Sequence, residues 1–177
     1  GMYKFKPTEL EGGKIRAQLF GSGSILNEVL KAQKMLEEYG VAADVWSVTS
    51  YKELRRDALE CERWNRLHPG EKAKVPYVTQ CLKDEDGVFV ASSDYMKSLP
   101  DSISKWVPGD LVSLGTDGYG RSDGRDALRN FFEVDARWVT LATLHALAQD
   151  KKVKPGVVKK AMQDLGINPD KPNPLTV

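Results

Sequence analysis

Lys14 to Phe20 alternates apolar and polar residues in the manner of a strand, Gly21 to Ser24 reads as a turn, and Ile25, Val29, Ala32, Leu36 and Tyr39 then recur at helical spacing. Gly40 stops that run, and Val41 to Val48 reads as a second buried strand. A strand, a crossover helix and a strand in so short a span commit the chain to parallel pairing, because a hairpin would need only a tight turn. Further along, Val88 to Ser92 and Leu111 to Leu114 read as two more strands, with helical pieces near Tyr95 and over Asp101 to Val107 between them. Tyr3 to Phe5 is expected to add an edge strand. The predicted fold is therefore α/β, a mainly parallel sheet covered on both faces by helices with five strands when Tyr3 to Phe5 is counted, in one domain over residues 1–177.

Local signals place the other elements. Ser50 and Glu53 form a capping box in which serine and glutamate are expected to satisfy each other's amides, opening a polar helix to about Arg66. Asp135 caps a helix, with Val134 and Val139 at the two positions of a hydrophobic staple. Pro155 opens a last helix and Gly166 closes it. The tail 167–177, with prolines at 169, 172 and 174, cannot continue a helix and is expected to be extended or docked on a surface.

Composition narrows function mainly by exclusion. The 26 basic and 25 acidic residues nearly cancel, so no global field draws a nucleic acid or an anionic membrane, and any polyanion would need a local patch. Cys61 and Cys81 lie far apart with no partner at metal-ligand spacing, which argues against zinc and against a disulfide scaffold. Gly1 to Lys6 has no apolar signal core and no run is long enough to span a bilayer, so the expected location is the cytoplasm.

Two segments are candidate sites. The first is the turn at Ser22, Gly23 and Ser24, a candidate anion site because a helix amino terminus follows it. As a dinucleotide fingerprint it is incomplete, with Leu26 at the third glycine position. The second is the loop from Thr116 into the next helix, where Asp117, Tyr119, Arg121, Ser122, Asp123 and Arg125 stand among Gly118, Gly120 and Gly124. Its arginines suit bidentate grips on carboxylates, but its charges better suit a salt-bridged loop holding a domain or subunit interface. His145 shares a helix face with Trp138, Leu141 and Ala148 and reads as a packed or interface residue, and His68 before Pro69 reads as structural. Glu60 and Glu62 should raise the pKa of Cys61 and blunt it as a nucleophile. Arg63, Trp64 and Asn65 suggest a cation stacked on an indole, and a solvated helix end explains them equally well. No nucleophile, base and orienter stand together, and no catalytic, cofactor-binding or metal residue is assigned.

Five ordered motifs then carry a resemblance: Gly21-Ser22-Gly23-Ser24, Val45 to Tyr51, Cys61 to Pro69, Ser93-Asp94-Tyr95-Met96 and Thr116 to Asp135. Together they resemble the carboxyl-terminal domain of the homodimeric, bacterial-type pyruvate dehydrogenase first component, a transketolase-like third domain. The resemblance implies a three-layer α/β/α sandwich with a mainly parallel five-stranded mixed sheet whose first strand runs antiparallel, and the strand count above agrees. It also implies a non-catalytic part of a thiamine diphosphate-dependent oxidoreductase that decarboxylates pyruvate, with this domain supporting the dimer and the active-site domains. Thiamine diphosphate and magnesium would sit between two preceding domains outside this chain. The Gly-Asp-Gly and Asn-Asn diphosphate motif does not occur, since Gly109-Asp110 continues with Leu111. Partners implied are the other domains of the parent, a homodimer partner and the lipoyl acyltransferase component. Two other readings stand beside this one: an independent anion- or nucleotide-binding module, and a docking domain for the acyltransferase core.

Overall fold

The computed structural model describes residues 1–177 and bears out the sandwich. Five strands, β1 (Met2–Lys6), β2 (Ile15–Gly21), β3 (Val41–Val48), β4 (Val88–Ser92) and β5 (Leu111–Leu114), line up in the order β1-β3-β2-β4-β5. β2 runs parallel to both β3 and β4, β4 runs parallel to β5, and β1 alone is antiparallel. Edge strand β1 carries a register shift between Lys4 and Lys6, the kind of irregularity that blunts an open edge.

One face of the sheet is covered by α1 (Leu26–Glu37), α6 (Ala136–Gln149) and α7 (Pro155–Asp164), and the other by α2 (Tyr51–Leu67), α3 (Tyr77–Leu82) and α4 (Ser98–Asp101). The strands separate the two cores by alternation. Leu19, Val45 and Val90 point to the α1 side, while Phe20, Trp46, Phe89 and Ala91 point to the α2 side. The helical stripe from the sequence holds, since Val29, Ala32 and Leu36 are fully buried. Full burial of one such branched side chain is worth about 1.5–3 kcal/mol, which is what fixes the rotation of α1 about its axis.

Helix ends follow the expected chemistry with one exception. Asp135 accepts from the backbone N–H groups of Arg137 and Trp138, and Val134 and Val139 are both buried in the same core. At the end of α7, Gly166 has φ +63°; its N–H donates to Gln163 O, and the Ile167 N–H donates to Met162 O, closing a Schellman motif. The exception is the Ser50 box, which forms by half. Ser50 Oγ accepts from Glu53 N–H, but the Ser50 N–H donates to Gly1 O, and the Glu53 carboxylate pairs with Arg56 instead. Helix α3, to which the sequence pattern assigns no element, starts directly after Pro76, with Tyr77 N–H donating to Asp57 Oδ2 at 2.7 Å. The helical piece expected near Tyr95 begins later, at Ser98.

Two buried carboxylates hold elements together. Asp44, in the middle of β3, accepts from Thr8 N–H at 2.8 Å, Arg16 Nη2 at 2.9 Å and Lys4 Nζ at 3.0 Å, tying β1, β2 and the 7–14 connection. Glu28 on α1 accepts from Lys31 Nζ at 2.9 Å, Arg129 Nη1 at 3.0 Å and Ala136 N–H at 3.2 Å. It links α1 to α5 (Arg125–Phe131) and to the first turn of α6.

Candidate functional site: a cleft at the carboxyl ends of the strands

The chain leaves β2 through α1 to β3 on one side, and β4 then pairs on the other side of β2. The gap beyond the carboxyl ends of β2 and β4 is therefore a topological switch point, where diverging connections leave a crevice. A cleft of about 470 Å³ lies there. Its lining comes from the turn after β2 (Ser24, Ile25), from Asp94 after β4, from Thr116 after β5 and from the charged loop with α5, including Arg121, Asp123, Arg125 and Arg129. The two candidate sites of the sequence reading thus meet in one place. Ser24, Arg121, Asp123 and Arg125 line the cleft, whereas Ser22, Gly23, Asp117, Tyr119 and Ser122 do not.

Each of those five has a definite position. Ser22 is buried and its Oγ donates to Ser93 Oγ at 3.0 Å, which in turn accepts from Tyr95 N–H. Gly23 has φ +55° beside Gly21, where an added Cβ would stand 2.8 Å from Leu26 Cα; the turn is tight because β2 and α1 nearly touch. Asp117 accepts from Lys97 N–H at 3.0 Å, pinning the loop to the segment after β4. Tyr119 is 83% exposed, and Ser122 is exposed.

The charges divide unevenly. Arg129 is engaged by Glu28 and donates to Ser24 Oγ at 3.2 Å, while Ser24 Oγ donates to Asp94 Oδ2 at 3.4 Å. Arg121 and Arg125 enter no salt bridge; the Arg121 guanidinium lies 5.1 Å from the Phe131 ring centroid. Asp123 accepts only from the adjacent Gly124 N–H. Within this chain Arg121, Asp123 and Arg125 make no ion pair with one another. Behind the charges, Ile25, Leu128, Phe132 and Val134 make an apolar wall.

The tail is docked, on this same loop. Lys171 Nζ donates to Phe131 O at 2.8 Å and to Glu133 Oε1 at 3.0 Å, and lies 5.4 Å from the Phe131 and Trp138 ring centroids. Farther on, the tail packs against Gly118, where an added Cβ would meet Pro174 O at 2.9 Å. Sequence reading missed both Glu28, which holds the cleft's Arg129, and Lys171, which braces Phe131 beside it; neither lines the cleft itself. The signal present for Lys171 was a lone cation in a proline-rich tail, beside aromatic residues at 131, 132 and 138.

Other singled-out residues lie elsewhere. His68 stacks on Trp64 at 4.3 Å with its Nδ1 2.8 Å from Trp64 O, and the cation over that indole is Lys74 at 4.5 Å, not Arg63. Asn65 fixes Lys74 by bonding its backbone N–H and carbonyl. His145 is exposed, so the packed reading fails within this chain. Burial, then Asp57, then Glu60 raise the Cys61 pKa, with Lys74 opposing; Glu62 instead pairs with Lys105 and Trp106. No group of three or more His, Cys, Asp or Glu residues is placed to hold a metal ion, and no helix is long and apolar enough to cross a membrane.

The chain belongs to the transketolase-like C-terminal domain family: the family model described as Transketolase-like TK C-terminal domain matches residues 1–135. At closer range it is similar to the pyruvate dehydrogenase E1 component of Pseudomonas aeruginosa, at 52% identity over 177 residues, covering 99% of this chain and 20% of that protein. It is similar to the Escherichia coli (strain K12) protein of the same name at 48% identity, covering 98% of this chain and 19% of that protein. The chain thus spans about one fifth of the length of these curated relatives. Among solved structures, a split gene transketolase described as an inactive beta4 tetramer superposes with a TM-score of 0.57 at 20% identity, covering 84% of this chain and 42% of that one. Transketolase from Leishmania mexicana gives a TM-score of 0.53 at 17% identity, covering 99% of this chain and 19% of that one. At those identities the likeness establishes the fold alone.

Proposed function

We propose that this chain acts as the carboxyl-terminal, non-catalytic domain of a thiamine diphosphate-dependent pyruvate dehydrogenase first component, supporting its dimer and its active-site domains during oxidative decarboxylation of pyruvate. The observation that carries the reading is the 48–52% identity to two pyruvate dehydrogenase E1 components across nearly the whole chain, each about five times longer. Thiamine diphosphate and magnesium do not fit the residues present. A magnesium diphosphate site needs converging oxygen ligands, and the two carboxylates at the cleft stand beside arginines with no third oxygen-bearing acid. In this reading the cofactor belongs to the other four fifths of the parent, and no chemical step is assigned to this chain.

The loops at the carboxyl end of the sheet support an assembly role. Tyr95, Met96, Tyr119 and Leu175 are 62%, 59%, 83% and 56% exposed. Single exposed apolar residues are ordinary, but these four ride on three segments fastened to one another. Thr116 N–H donates to Tyr95 O, Lys97 N–H donates to Asp117, and Gly118 abuts Pro174. Exposed tyrosines and a methionine flanked by arginines have the composition of interface cores. The loop around Arg121, Ser122 and Asp123 is assigned to the seam with the neighbouring domain or the dimer partner.

The test is the double variant Tyr119→Ala with Arg121→Ala in the full-length parent, read by sedimentation and by pyruvate turnover. Weaker dimerisation with lower turnover is expected. Unchanged dimerisation together with unchanged turnover overturns the assembly role.

A further inference from the structure

We propose that the switch-point cleft is a binding site for a small organic oxyanion that also carries a hydroxyl or ammonium donor, its anionic end held by Arg121 and Arg125 and its donor end by Asp94. The proposal rests on the cleft itself and not on the assembly reading. Position comes first: in open α/β sheets the crevice at the switch point is where ligands lodge, because no connection crosses it. A volume of about 470 Å³ falls within the range of small-molecule pockets.

Charge accounting then sets the ligand class. Three arginines and two aspartates line the cleft. Arg129 is occupied by Glu28 and Ser24, and Asp123 turns back to the Gly124 N–H. Arg121, Arg125 and Asp94 remain, with no salt bridge joining the arginines to the carboxylate. The Arg121 guanidinium lies 5.1 Å from the Phe131 ring centroid and enters no salt bridge, so its N–H donors are available to the paired oxygens of a carboxylate or phosphate. Opposite charges that line one cleft without meeting complement a ligand that carries both an acceptor group and a donor group.

Polarity within the cleft is fixed by Asp94. Its Oδ1 lies 3.8 Å from the Cβ position of Gly23 and its Oδ2 is bonded to Ser24, so a carboxylate already faces the start of α1. An anion is repelled from that end and drawn to the arginine side, while a hydroxyl or ammonium is drawn to Asp94. The Asp94 wall is held in place, since Thr116 Oγ1 donates to Asp94 O at 2.8 Å and Ser93 is locked by Ser22 and Tyr95. A short carbon body between the two ends would lie on Ile25, Leu128, Phe132 and Val134.

The experiment is a backbone-amide NMR titration of the 177-residue chain with four probes: acetate (oxyanion only), glycerol (donor only), L-serine (carboxylate and ammonium) and glycerol 3-phosphate (phosphate and hydroxyls). Either or both of the two-group probes should bind at least tenfold more tightly than acetate or glycerol, with shifts centred on Ser24, Asp94, Thr116 and Arg125. Which of the two wins distinguishes a carboxylate from a phosphate ligand. Arg121→Ala with Arg125→Ala should weaken that binding at least tenfold, the surface control Arg55→Ala should leave it unchanged, and Asp94→Asn should erase the advantage over the oxyanion-only probe. All these residues are exposed, and a thermal melt of each variant confirms folding. The proposal is overturned if no probe gives saturable shifts at the cleft up to about 10 mM. It is equally overturned if the double arginine variant binds as the parent chain does, or if Asp94→Asn keeps the two-group preference. Such a failure leaves the assembly role standing, because that role is read from dimerisation of the full-length protein.

Discussion

Replacing Glu28 is the most informative single change, because one buried carboxylate joins the cleft to the core. Its side chain is 7% exposed, its partner Arg129 is 13% exposed and Lys31 is 61% exposed. Lys31 is a surface pair and contributes only about 0.3 kcal/mol. Removing one partner of a buried ion pair costs about 3–5 kcal/mol, and part of that here is the Ala136 N–H left without its acceptor. Glu28→Ala should therefore cost about 4 kcal/mol. For a chain of this length each kcal/mol lowers Tm by roughly 2–4 °C, so the expected loss is roughly 8–16 °C. Urea denaturation of Glu28→Ala, Arg129→Ala and the double variant gives the coupling directly, and a value above about 1 kcal/mol is expected. If Glu28→Ala stays within about 1 kcal/mol of the parent chain, or the cycle shows no coupling, the reasoning about the buried pair fails.

Other changes test other parts of the account. Asp44→Ala should cost about 2–4 kcal/mol, because it strands Thr8 N–H and two cations that can partly turn to water, and amide exchange in Met2–Lys6 should rise before that in β2. Tyr51→Phe should leave the chain as stable or raise stability by about 1 kcal/mol, since the buried hydroxyl has no hydrogen-bond partner. Burial holds the Tyr51 pKa well above the ordinary tyrosine value of 10.0, so the unfolded chain loses its proton first and unfolding free energy should fall as pH rises above that value. A denaturation series across that range checks the sign, and the fall should be smaller in Tyr51→Phe. Lys171→Ala should speed amide exchange across residues 116–125 while leaving β2 and β3 protected, because the tail is fastened to that loop's own helix through Phe131 O and Glu133.

What could be seen in advance was what local pattern controls. The strands β2 to β5, helix α1 and the caps at Asp135, Pro155 and Gly166 follow from alternation, helical spacing and end chemistry within a few neighbouring residues. Helix α3 was hidden because its six residues follow a proline-bracketed stretch and their periodicity is too short to register. The cation over Trp64 was misassigned because adjacent helix residues face different ways, while Lys74 returns from a loop fastened by Asn65. The reciprocal half of the Ser50 box yielded to Gly1, a partner 49 positions away in the chain. The cleft needed the strand order: Ser24, Asp94, Thr116 and Arg125 span over 100 residues and meet only because β4 crosses back beside β2 with β5 outside it. Glu28 lay on a helix that reads as amphipathic, where a buried glutamate cannot be told from a solvated one by spacing.

The central claim is that this chain is one domain of a longer pyruvate dehydrogenase first component, and the size of the native product tests it most directly. An antibody raised against the purified 177-residue chain should detect, in source cells, a band about five times the 19.7 kDa of this chain, as expected from the one-fifth coverage of the relatives. A single band at the chain's own mass would contradict the claim and leave the cleft as the basis for its function.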